Sequence, residues 1–277
     1  MTPPPVALAA SESKPQLGFW RGLRGVYDIA LEGMVWSRRS LLMAVMLSLP
    51  VVFALLYRYA LVARLPAKIR GFDLYGVVIA LFYIRNALPL AALFYAVSLI
   101  ADEVEDKTIT YFFTRPISRA SILFGKFAAY VVTTLTLTLP ATVVTFFLLT
   151  TARGTAEISA AAPHLFRDMA VIALTLIVYG ALFMLFGVAL RRPVIPGLLF
   201  LFVWELLALL PGYLPRFTLT AYLRSLVPHR PPDEGLAEVF GQTLPLGLSL
   251  GTLGILLAVF LGLAYGIFSR RDYVLEQ

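Results

Sequence analysis

"SLIADEVEDKTITYFFTRPISRASILFGKF", residues 98–127, breaks an otherwise apolar chain with a dense run of charge. Four carboxylates, Asp102, Glu103, Glu105 and Asp106, stand ahead of a basic group, Arg115, Arg119 and Lys126, and long apolar runs lie on either side. A charged strip between two such runs reads as a water-facing connection between two membrane helices. That reading decides the fold.

The bulk composition agrees. Of the 277 residues 60% are hydrophobic and 14% charged, with a mean hydropathy of +0.84. Soluble domains are about 45–50% apolar and about 25% charged. The chain reads as an all-α integral membrane protein. At about 20 apolar residues per crossing, six transmembrane helices are expected, roughly 41–62, 77–101, 122–149, 169–190, 194–213 and 246–268. They make residues 17–277 a single transmembrane domain. Residues 1–16, "MTPPPVALAASESKPQ", lack the basic start of a secretory signal and read as a disordered tail.

Lys and Arg near the span ends set the expected orientation. With both termini cytoplasmic, 13 of the 23 cations fall inside, nine outside and Arg85 within a span. The pairs Arg38-Arg39, Arg191-Arg192 and Arg270-Arg271 are then all inside. This bias accounts for the net charge of +7 without nucleic acid.

Two segments outside the spans have helical periodicity. In residues 18–39, Trp20, Leu23, Tyr27, Leu31 and Met34 recur at spacings of three and four, opposite Arg21, Arg24, Asp28 and Glu32. This pattern predicts a cytoplasmic interfacial helix before the first span. Beyond the fifth span, Leu219, Leu223 and Leu226 fall on one side and Arg224 opposite, which predicts a helix lying on the outer surface.

The strip itself reads as a short amphipathic helix on the cytoplasmic side, between spans 2 and 3. Its carboxylates would occupy the helix start, where the macrodipole favours them. Ile109, Phe112 and Phe113 share a face, Pro116 stops the helix, and Ser118 is placed to cap the third span. An aromatic patch rimmed by charge suits a docking surface for a soluble partner.

Glu103, Thr108, the pair Phe112 and Phe113, Arg115-Pro116, Arg119 and Gly125-Lys126 together resemble the segment between the second and third membrane helices of type-2, exporter-like ABC transporter permeases. Lys107 departs from the glycine common before the threonine. The resemblance implies that the strip is a coupling helix seated on a cytoplasmic ABC ATPase subunit. It also implies two ATPase copies carrying ATP and Mg, a second permease subunit forming a homodimer or heterodimer, and a place in the bacterial inner membrane. The chain is expected to bind no cofactor itself. Its only Gly-Lys pair is followed by Phe127, and Ala120 stands where a phosphate-binding loop needs its first glycine.

Polar groups within spans are functional candidates. Arg85, with Asn86, and Glu205 lie at depths of roughly 22 and 18 Å from the cytoplasmic side at about 1.5 Å per residue. They are expected to face one another or a polar path. The alternative is an ion-coupled secondary transporter using Arg85 and Glu205, although the halves show no inverted repeat. A membrane-embedded enzyme would need converging nucleophile, acid-base or metal groups within the spans. The chain has no cysteine, its two histidines fall outside the expected spans, and no metal site is expected.

Overall fold

The computed structural model describes residues 18–64, 70–105, 118–153, 158–210, 212–227, 229 and 244–270, with 100–105, 153, 159 and 160 described by their backbone alone. Among the described residues the fold is helical and contains no strand. The elements are α1 (Phe19–Val35), α2 (Arg38–Val62), α3 (Gly71–Val77), a π-helical stretch Val78–Ala87 and α4 (Leu88–Glu105). There follow α5 (Arg119–Thr150), α6 (Ile158–Ala189) and α7 (Val194–Leu199), which continues as a π-helical turn Phe200–Trp204 and a 3-10 turn Glu205–Leu209. A further 3-10 turn, Leu214–Phe217, leads to α8 (Leu219–Ser225), and α9 (Leu246–Arg270) completes the set.

Five helical runs are long and apolar enough to cross a membrane: Arg38–Val62, Gly71–Leu99, Arg119–Thr150, Ala161–Ala189 and Leu246–Arg270. In the most apolar stretch of each, the two central ones, Gly71–Leu99 and Ala161–Ala189, are 56% and 72% buried, whereas α2 is 22% and α9 only 11% buried. Tyr83, Leu93, Tyr179 and Phe183 anchor the core between the central pair. In apolar surroundings a buried hydroxyl needs a partner inside the protein, and many here have one. In α5, Thr134, Thr138, Thr142 and Thr145 each donate to the carbonyl four residues back, at 2.7 to 3.0 Å. Tyr83 and Tyr130 donate at 2.8 Å to the carbonyls of Leu47 and Leu176, tying neighbouring helices together.

The structure departs from expectation in three places. The fifth span, expected over 194–213, is a shorter apolar helix, Val194–Leu209, broken by its π and 3-10 turns. The segment expected on the outer surface is buried: every residue of α8 from Leu219 to Arg224 is inside, Arg224 included. Polar partners from other helices make that burial possible, as the site geometry shows. Third, Asp102, Glu103 and Glu105 lie on the last turn of α4 and not at the start of a separate helix, because that helix runs unbroken to Glu105.

The helix expected before the first span forms as α1, and it packs on the beginning of α5 through Gly22 and Val26 with Leu23 and Met34 beside them. Trp20 stays exposed. The remainder of the strip, including Thr108, Phe112, Phe113, Arg115 and Pro116, lies outside the described residues, as does the tail before residue 18.

Candidate functional site

The two ends of the strip enter the bundle through α4 and α5, and the first turns of α5 are fastened to three other helices. Ser118 caps α5 as expected, its hydroxyl accepting from the Ser121 amide at 3.1 Å. The Ser121 hydroxyl reaches out at 3.0 Å to the Phe19 carbonyl at the start of α1. Arg119 donates to the Ser269 carbonyl at 2.8 Å and the Phe268 carbonyl at 3.3 Å, in the last turn of α9. A cation there also meets the negative end of the helix dipole. Lys126, only 4% exposed, donates at 2.7 Å to the Leu99 carbonyl in α4.

Gly125 explains the close crossing of α1. A Cβ at this position would lie 2.8 Å from the Leu23 carbonyl and against Val26, so only glycine lets the two backbones meet. Three strip-proximal residues singled out from sequence, Arg119, Gly125 and Lys126, thus each hold a different helix. Glu103 is placed on α4 by its backbone.

The intramembrane candidates come together in a notch. Arg85 and Asn86 sit on the π-helical stretch Val78–Ala87, and Glu205 directly follows the π turn Phe200–Trp204. The two irregular stretches flank a small open cavity of about 70 Å³, walled by Leu90, Leu201, Phe202 and Leu206. Wide helical turns of this kind often mark functional sites.

Arg85 and Glu205 share this notch without forming an ion pair. Both Glu205 oxygens are engaged, accepting from the Leu219 and Thr220 amides at 3.1 Å each. The carboxylate therefore caps α8 with a negative charge at its amino end. Thr218 caps the same turn, accepting from the Ala221 amide, and Thr220 shares a 3.0 Å hydrogen bond with Tyr179 of α6. These contacts explain how a segment with a surface-like pattern is accommodated inside.

A second polar cluster was not foreseen. His229 Nε2 lies 2.8 Å from Asp168 Oδ2, with both side chains almost fully buried. Phe72, Tyr75 and His164 pack edge-on or tilted around the His229 ring. Gly76 admits the ring, since a Cβ there would come within 2.7 Å of it. Arg167 adds a 3.0 Å bond to the Leu226 carbonyl. The adjacent Arg167-Asp168 pair at the head of an apolar run was the available signal. Among the described residues no group of three or more acidic, His or Cys side chains is arranged for a metal ion.

A family model described as ABC-2 family transporter protein matches residues 67–273, from just before α3 to just past α9. No curated protein matches the chain. The matched stretch is well over half of the sequence and includes both the fastened base of α5 and the notch, so the chain belongs to the ABC-2 family of transporter proteins.

Proposed function

We propose that this chain is the membrane-spanning permease subunit of an ATP-driven ABC transporter, and that residues 102–117 couple it to a separate cytoplasmic ATPase subunit. The observation that carries the reading is the fastening of the α5 base. Arg119 to α9, Ser121 to α1 and Lys126 to α4 mean that force applied to the strip reaches three further helices. A simple connector has no use for such a junction. Glu103, Thr108, Phe112, Phe113, Arg115 and Pro116 supply the docking surface, in keeping with their resemblance to a coupling helix.

In this reading both termini are cytoplasmic, the membrane is the bacterial inner membrane, and two permease subunits work with two ATPases that hold ATP and Mg. Closure of the ATPases presses the strips, the α5 bases tilt, and the bundle opens a path for export or passes the movement to another protein. The notch around Arg85, Asn86 and Glu205 lies on that path.

The chain contains no cysteine, which makes a direct test possible. Phe112→Cys gives a single thiol in the strip, to be treated with a thiol-specific photocrosslinker in native membranes. A crosslink to an ATP-hydrolysing subunit is expected. Crosslinks to lipid alone, in membranes where the ATPase is present, would contradict the proposal.

A further inference from the structure

Arg85 stands midway along the crossing Gly71–Leu99, with 14 residues to either end. At the middle of a hydrocarbon core about 30 Å thick each boundary is about 15 Å away, beyond the reach of a snorkelling side chain. Among the described residues its guanidinium makes no ion pair or hydrogen bond, and Glu205 across the notch is held by the Leu219 and Thr220 amides. Arg224, a second cation, lies within electrostatic range of Arg85. Asn86, exposed beside it, turns its amide nitrogen to the Leu81 carbonyl at 2.6 Å, leaving its carboxamide oxygen as the outward polar atom. Charges held at this depth mark ligand or ion pathways. The remaining walls, Leu90, Leu201, Phe202 and Leu206, are hydrocarbon or aromatic.

Resting on the permease reading, we infer that the notch receives an amphiphilic anion from the membrane: a phosphate or carboxylate group against Arg85, with an alkyl or aromatic portion along Leu90, Leu201, Phe202 and Leu206. An anion at Arg85 satisfies a guanidinium that otherwise faces a largely apolar gap. The apolar walls give no hold to a small hydrated anion. They do give one to a chain or ring that arrives from lipid. The cavity itself is small, and Phe202 and Leu206 are exposed at its mouth, so the head group enters while the chain lies along these outward side chains.

The test uses the full chain in nanodiscs of zwitterionic lipid, without ATPase, and dodecyl phosphate as the probe. Inorganic phosphate and dodecanol are the separate anion and chain arms. Binding is read from the retention of radiolabelled probe and from the shift in thermal midpoint. Saturable binding of dodecyl phosphate alone is expected, weakened by about ten- to a hundredfold in Arg85→Gln, as for loss of a charge-assisted hydrogen bond. Leu201→Trp, which fills the apolar wall and leaves the charges in place, should block the probe equally and keeps the test valid if Arg85→Gln fails to fold. Equal binding to wild type and both variants would mean partition into the bilayer and overturn the inference. Inorganic phosphate binding as tightly as dodecyl phosphate would overturn the amphiphile assignment. Because no ATPase is present, either failure leaves the coupling reading to be judged by its own crosslinking result.

Discussion

The Lys126 ammonium donates to the Leu99 carbonyl at 2.7 Å, joining the two helices from which the charged strip emerges. The bond closes the base of a loop whose sequence resembles a coupling helix. Its burial, at 4% exposure, shields it from competing water and salt.

Lys126→Met keeps the aliphatic stem and removes the donor. Hydrogen bonds involving a charged group contribute about 1.5–3 kcal/mol, so the thermal midpoint of the detergent-solubilised chain should fall. ATP-driven transport in vesicles should fall further than assembly with the ATPase, because α4 and α5 no longer move together. Wild-type transport in this variant would remove Lys126 from the coupling route.

Gly125→Val should force α1 away from α5, since its Cβ would meet the Leu23 carbonyl at 2.8 Å. Overpacking of this kind costs about 1–3 kcal/mol. Gly25, with open space at its Cβ, is the matched control: Gly25→Ala should leave stability unchanged or raise it by up to about 1 kcal/mol through better helix propensity. Limited proteolysis after Arg21 and Arg24 reports the release of α1. Equal cleavage in both variants would contradict the packing argument.

Glu205→Gln replaces two charged acceptor oxygens with a single neutral one, so the Leu219 and Thr220 amides can no longer both be satisfied at full strength. The expected loss is about 1–2 kcal/mol, comparable to removal of a helix cap. Hydrogen exchange should speed up in α8 before it does in α6. A variant with unchanged protection at residues 219–225 would show that the carboxylate does not hold α8 in place.

Asp168 and His229 form a pair whose removal should be non-additive. In a double-mutant cycle of Asp168→Asn and His229→Phe, each single change should destabilise and the double should cost less than their sum. Coupling of about 0.5–3 kcal/mol is the range for contacting residues. Strict additivity would mean that the 2.8 Å contact contributes nothing to stability.

Much of this fold was written in local sequence patterns. The Ser118 cap, the amphipathic α1 and four of the expected spans followed from spacing and hydropathy, because each is determined within a few helical turns. The last of the spans, α9, was equally plain, with its long apolar run ending at Arg270. The broken fifth helix was not legible: no residue between Phe200 and Glu205 announces a π turn, which depends on what the helix packs against. Nor was the burial of α8, since Arg224 opposite a leucine stripe is an ordinary surface pattern. Glu205, Tyr179 and Ser249 of α9, distant in sequence, give its polar groups partners inside. Arg85 and Glu205, expected at similar depth, line the same notch, but depth could not reveal that the carboxylate serves the α8 amides.

The central claim, that the strip docks an ATPase, is tested most directly by purifying the chain from native membranes in mild detergent and identifying its companions by mass spectrometry. Wild type is compared with a variant in which Phe112, Phe113 and Arg115 are all alanine. The account predicts an ABC ATPase subunit with the wild type and its loss from the variant. A chain that purifies alone in both forms, while remaining active in vesicles without ATP, would contradict it.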